Sequence, residues 1–202
     1  MSRALERIFI EGGAGRIETV VDRPMDAPRG VALVAHPHPL YGGTLDNKVV
    51  QTLAKVFVEL GYVSMRPNFR GVGASEGEHD EGRGETEDLL RVAAHARETF
   101  GGLPLVLAGF SFGAAVQTQV ARRANPYRIV LVGIAVGRFP SETVPVDSIV
   151  IHGERDETVP LAKVLDWARP QELPVVVVPG ADHFFHLRLH IIRNIVKDSW
   201  RS

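Results

Sequence analysis

Between residues 31 and 178 the chain alternates short, almost unbroken apolar runs with longer stretches of mixed polarity. The apolar runs at 31–35, 62–65, 103–108, 129–134, 148–151 and 175–178 read as strands covered on both faces, since a strand with one face in water would alternate polar and apolar positions. Residues 48–60, 86–99, 112–124, 161–168 and 186–197 read as helices between and after them. The chain before residue 31 follows another pattern: 7–11 and 17–21 flank Gly12-Gly13-Ala14-Gly15, a hairpin composition. The expectation is an α/β architecture, with a mostly parallel central sheet, antiparallel N-terminal strands, right-handed crossovers and helices on both faces. Ligands in such sheets bind beyond the carboxyl ends of the strands.

Composition narrows this to one domain spanning 1–202, because 202 residues at 45% hydrophobic content can bury a full core and no stretch reads as a linker. Basic and acidic residues balance at 23 and 24, which gives no electrostatic case for nucleic acid or an anionic membrane as partner. Cysteine is absent, so disulfides and thiolate ligation are excluded, although this does not identify a compartment. Residues 1–10 lack a continuous apolar signal segment, and no run approaches the roughly 18 apolar residues of a spanning helix. A cytoplasmic location is expected, with a small molecule as partner and a homodimer left open.

The candidate chemistry lies where the run 103–108 meets Gly109-Phe110-Ser111-Phe112-Gly113 and the helix 112–124 leaves it. A serine between strand and helix sits on a strained turn, and the flanking glycines let backbone and helix approach without a Cβ clash. Such a nucleophile elbow is followed in chain order by an acid and a histidine, each just after a later strand. Here 148–152 ends in Gly153-Glu154-Arg155-Asp156, and 173–178 ends in Pro179-Gly180-Ala181-Asp182-His183. Ser111, Asp156 and His183 are therefore the candidate triad. Asp182 is the weaker choice of acid, because consecutive side chains diverge.

These segments resemble the α/β-hydrolase fold family over nearly the whole chain: Gly109 to Gly113 resembles its elbow, His152-Gly153-Glu154-Arg155-Asp156-Glu157-Thr158-Val159-Pro160 its acid loop, and Gly180-Ala181-Asp182-His183 its histidine loop. Two further stretches are similar to a subgroup of small, capless bacterial hydrolases, many known only as predicted hydrolases. They are His36-Pro37-His38-Pro39-Leu40-Tyr41-Gly42-Gly43-Thr44 with Asp46-Asn47-Lys48, and Arg66-Pro67-Asn68-Phe69-Arg70-Gly71-Val72-Gly73. The resemblance implies an α/β-hydrolase fold. Many relatives insert a lid after the sixth strand of the core, whereas residues 135–147 leave room here only for a loop or one short helix. An open site without a cap domain is expected, suited to small or extended accessible substrates.

In the mechanism these residues suggest, His183 takes the Ser111 proton and Asp156 orients the imidazole. The oxyanion needs two donors: the backbone N–H of Phe112, the residue after the nucleophile, and one from the loop after 31–35. Pro37 and Pro39 have no N–H, so His38 is the choice, with Leu40 second. Tyr41, Phe110, Val159 and Phe184 are the expected substrate contacts. The expected activity is serine hydrolysis of small, short-acyl carboxylic esters, with no cofactor and no metal. Thioester or amide hydrolysis by the same triad remains open, as does a catalytically idle binding or scaffold role.

Other polar residues read as structural. His36 reads as a strand-end histidine bonded to neighbouring backbone, Asn68 and Arg70 as loop braces, and the acidic stretch 76–88 as a solvated loop and helix start with Glu85 near the helix dipole. His183, His186 and His190 would share a face if the last helix started early, but such a row lacks the tight four-ligand spacing of a zinc site.

Overall fold

The computed structural model describes residues 5–200; residues 1–4, within the stretch read for a signal segment, and 201–202 lie outside the described residues. Strands β1 (Glu6–Gly12) and β2 (Gly15–Asp22) form the hairpin, closing at Gly12 opposite Gly15. β2 pairs antiparallel with β4 (Tyr62–Pro67), which lies parallel to β3 (Gly30–Ala35). β5 (Leu105–Phe110), β6 (Arg128–Val132), β7 (Ile149–Gly153) and β8 (Val175–Val178) then follow in parallel, giving the order β1-β2-β4-β3-β5-β6-β7-β8. Parallel pairing carries the chain past the same sheet edge after β3, β5, β6, β7 and β8, and the site forms there.

The crossovers are α1 (Lys48–Glu59), α2 (Arg83–Thr99), α3 (Phe112–Ala124) and α4 (Leu161–Ala168), and α5 (Leu189–Ser199) closes the chain. Alternate residues of β3 show how both sheet faces are covered. Ala32 and Val34 pack with Leu53 and Phe57 of α1 and Ile192 and Val196 of α5, whereas Val31, Leu33 and Ala35 pack with Leu89 and Val92 of α2 and Val116 and Val120 of α3. β8 departs from the fully covered expectation because it is the sheet edge, and Val176 there is 40% exposed.

Three boundaries differ from the sequence reading for physical reasons. The last rung between β5 and β6 joins Phe110 to Val132, so β5 runs later than expected and β6 stops earlier. α2 begins at Arg83 because the Glu85 carboxylate accepts the N–H groups of Asp80 and Gly82, both at 2.9 Å, and fixes the first turn. α5 begins only at Leu189, since Asp182 holds His186 in a turn and Phe185 and Leu187 adopt φ of 53° and 59°. The acidic stretch is also not uniformly solvated: Glu85 is fully buried and Asp88 forms a two-pronged pair with Arg70 at 2.8 and 2.9 Å. Residues 133–148, where a lid would be inserted, contain no helix and only an isolated bridge between Val136 and Phe139.

Candidate active site

Ser111 caps α3 at φ 55° and ψ −117°, a strained conformation for a residue with a Cβ. Its backbone is held by the N–H donating to Val132 O at 2.9 Å and by its carbonyl accepting from Ala115 at 3.2 Å. The turn is tight enough to exclude side chains on either side. A Cβ on Gly109 would stand 2.6 Å from the Gly113 carbonyl carbon, and one on Gly113 would stand 2.6 Å from Ala35 O.

From the end of β8, His183 brings Nε2 to 2.9 Å from Ser111 Oγ, and its Nδ1 lies 2.6 Å from Asp156 Oδ2. A proton on Nδ1 donated to the carboxylate leaves Nε2 as the acceptor facing the hydroxyl. Asp156 is itself fixed, since Oδ1 accepts the Val159 N–H at 2.7 Å. Asp182 goes elsewhere: its Oδ2 lies 2.5 Å from His186 Nδ1.

The loop after β3 is ordered by its own hydrogen bonds. Tyr41, Gly42 and Gly43 donate to the carbonyls of His38, Pro39 and His38 at 3.2, 3.2 and 3.0 Å. Leu40 N–H donates to His38 Nδ1 at 3.2 Å. Pro37 and Pro39 have no N–H, which leaves the His38 N–H as the one donor between residues 37 and 43 without a partner among the described residues. Phe112 opens α3, where first-turn N–H groups have no intrahelical partner. Burial and the neighbouring His79 push the His38 imidazole pKa down against the opposite pull of Glu85. The neutral ring this favours is the form that can accept from Leu40.

Ser111, His183, His38 and Phe112 line a cavity of about 430 Å³ with Tyr41, Val159 and Phe184. Phe110 does not. It is fully buried, with its ring centroid 5.0 Å from that of His183, so the expected substrate contact is instead a support beneath the imidazole. A larger surface cavity of about 640 Å³ beside α2 and α3 holds no triad candidate, and its arginines are paired: Arg70 with Asp88, Arg83 with Asp80, Arg122 with Glu142 and Arg123 with Glu87.

His36 is fully buried, with Nδ1 2.6 Å from Pro37 O and Nε2 accepting the Phe69 N–H at 2.9 Å. Asn68 ties its own loop to the loop before α1 and to β2 by accepting from Leu45 at 2.9 Å and donating to Glu18 at 2.7 Å. Sequence reasoning missed His152, which is fully buried with Nε2 2.9 Å from Val159 O and 3.4 Å from Asp156 Oδ2. Its position at the end of an apolar strand run concealed it. It also missed Phe139, whose ring packs on Phe112 at 4.7 Å and His38 at 5.0 Å. The late start of α5 breaks the histidine row. Among the described residues no group of three or more His, Cys, Asp or Glu is placed to hold a metal ion, and no helix is long and apolar enough to cross a membrane.

A family profile described as serine aminopeptidase, S33 (Hydrolase_4), matches residues 27–171. The uncharacterized protein RP471 of Rickettsia prowazekii (strain Madrid E) is 30% identical over 215 residues, covering 96% of this chain and 88% of its own. Among solved structures, XC6422 of Xanthomonas campestris, described as an α/β serine hydrolase without lid, is similar at a TM-score of 0.92 and 34% identity, over 100% of this chain and 95% of that one. An α/β serine hydrolase homologue from Coxiella burnetii has a TM-score of 0.86 at 38% identity, over 94% of each chain.

Proposed function

The chain belongs to the serine aminopeptidase S33 family of α/β serine hydrolases, and on that premise we propose that it is a carboxylic ester hydrolase acting on small, short-acyl esters through Ser111, His183 and Asp156. The observation that supports this is the hydrogen-bonded line from Asp156 Oδ2 through His183 to Ser111 Oγ, with steps of 2.6 and 2.9 Å, ending in an open cavity.

Ser111 Oγ attacks the ester carbonyl carbon as its proton passes to His183 Nε2, and Asp156 stabilises the imidazolium. The oxyanion takes hydrogen bonds from the N–H groups of Phe112 and His38. Collapse of the tetrahedral intermediate breaks the ester C–O bond, and His183 returns its proton to the departing alcohol. Water, deprotonated by the same imidazole, then releases the acid from Ser111. The family description names aminopeptidases, but a free α-ammonium needs a carboxylate to receive it. Among the described residues lining the cavity there is no Asp or Glu, so a neutral or anionic ester suits the site better. The same reading takes residues 1–202 as one catalytic domain working in the cytoplasm on a small molecule.

The test is a fluorophosphonate probe with peptide mapping, run beside hydrolysis of 4-nitrophenyl acetate and butyrate. A stoichiometric adduct on Ser111, and loss of about 10³-fold or more of activity in folded Ser111→Ala, are expected. Absence of both labelling and hydrolysis overturns the reading.

A further inference from the structure

Arg138 is the only residue of permanent charge among the described residues lining the catalytic cavity, and it belongs to the short connection that stands where many other α/β-hydrolases carry a lid. It follows Gly137, at φ 74°, and precedes Phe139, whose packing against His38 and Phe112 pins this loop beside the two proposed oxyanion donors. Its N–H donates to Ala135 O at 3.4 Å, which fixes the backbone but leaves the guanidinium uncommitted.

Several arginines of this fold are committed to acids, Arg70 to Asp88, Arg122 to Glu142, Arg169 to Asp166 and Arg193 to Glu59, and others, such as Arg66 and Arg128, to backbone carbonyls. Arg138 has no ion-pair or side-chain hydrogen-bond partner among the described residues. The acid of its own loop, Glu142, is held by Arg122 at 2.8 Å. The exposed Glu157, next to the lining Thr158, makes no ion pair with it. Lys163 of α4 lies over Gly137, with Nζ 3.9 Å from where a Cβ there would stand, so a second positive charge stands beside this loop. A cavity wall without carboxylates, carrying one unpaired fork of N–H donors, is built to receive an anion.

We infer that the substrate is an ester that also carries a carboxylate close to the scissile bond, and that Arg138 binds this carboxylate. The inference rests on the ester-hydrolase reading and names its substrate class. One planar guanidinium matches one carboxylate through two parallel N–H···O bonds. With no lid to enclose the substrate, such a pair supplies orientation that apolar walls alone do not.

The experiment compares kcat/KM within pairs that differ in the charged group. 4-Nitrophenyl hemiglutarate against 4-nitrophenyl valerate places the carboxylate on the acyl side; 4-acetoxybenzoate against its methyl ester places it on the alcohol side. Each ratio is measured for the native protein, Arg138→Gln and Arg138→Lys, so that the intrinsic reactivity of each ester cancels between proteins. In at least one pair the anionic-to-neutral ratio is expected to fall about tenfold in Arg138→Gln, to recover partly in Arg138→Lys, and to shrink with added salt in the native protein alone. Ratios that Arg138→Gln leaves unchanged in both pairs overturn the inference. That outcome, with Ser111 labelled and neutral esters cleaved, leaves the ester reading standing; absence of both labelling and hydrolysis in the native protein removes both.

Discussion

Asp156 and His183 are 27 residues apart in the chain yet their side chains meet at 2.6 Å, whereas Asp182, the immediate neighbour of His183, turns to His186 at 2.5 Å. Chain adjacency and chemical adjacency are thus separated by the sheet. The ends of β7 and β8 lie side by side, with Gly153 opposite Val178, and the loops leaving them converge from different directions.

This separation gives the first prediction. Asp156→Asn should fold and lower kcat by about 10²- to 10⁴-fold, because an amide in place of the carboxylate favours the wrong imidazole tautomer. Asp182→Asn should cost less than about tenfold, since it touches only an exposed turn. Steady-state kinetics on both, with circular dichroism as a fold check, decides the matter. A larger loss in Asp182→Asn would reassign the acid.

The proposed oxyanion donor at His38 can be tested although it is a backbone group. His38 has φ −55°, which proline adopts without strain, so His38→Pro removes the N–H while keeping the local backbone conformation. His38→Ala serves as the reference, because it loses the imidazole but keeps the N–H. The proline variant should fall about 10²- to 10³-fold below the alanine variant in kcat. Equal activities would show that the donor lies elsewhere.

Much of this was legible in the chain because covered strands and an elbow leave strong marks. The unbroken apolar runs gave the parallel sheet, and Ser111, Asp156 and His183 each follow a strand end, an arrangement that chain order alone suggests. What stayed hidden depends on side-chain direction. Phe110 and Phe112 flank the serine symmetrically in sequence, but Phe110 still belongs to β5 and points into the core under His183, while Phe112 lines the cavity. Glu85 read as a solvated helix-start acid, yet its carboxylate is buried against two N–H groups, a partnership that only the tertiary turn creates. His152 was concealed for the same reason, since nothing in a β-strand pattern marks which histidine turns toward an acid beyond its end.

Acyl-chain preference tests the open cavity. Each buried methylene contributes about 0.8 kcal/mol only where a wall receives it. With about 430 Å³ shared between acyl group and alcohol, kcat/KM over 4-nitrophenyl esters should peak at short chains and decline well before twelve carbons. A specificity constant that keeps climbing to that length would reveal an apolar channel beyond Phe184.

Acid stability should report His36. Burial lowers its pKa from 6.5 to about 4 in the folded protein, opposed by its hydrogen bond to Pro37. The hydrogen bonds explain why the proton is refused: Nδ1 faces a carbonyl and already carries a hydrogen, so a second proton would occupy the Nε2 lone pair that accepts the Phe69 N–H. Above about pH 6.5 the residue is neutral in both states and its contribution to stability is fully present. Between pH 6.5 and 4 the unfolded chain binds a proton that the native protein does not, so stability falls as pH falls, by about 1.4 kcal/mol per unit and roughly 3 kcal/mol in total. His152, whose pKa burial also lowers, adds a loss of the same sign. The carboxylates contribute too, but they are common to the parent and to His36→Gln, whose side-chain carbonyl can still accept from Phe69. Urea denaturation from pH 8 to pH 4 should therefore give a shallower pH dependence for His36→Gln, with the difference confined to that window. Parallel curves for the two proteins would mean that His36 takes up its proton as readily folded as unfolded.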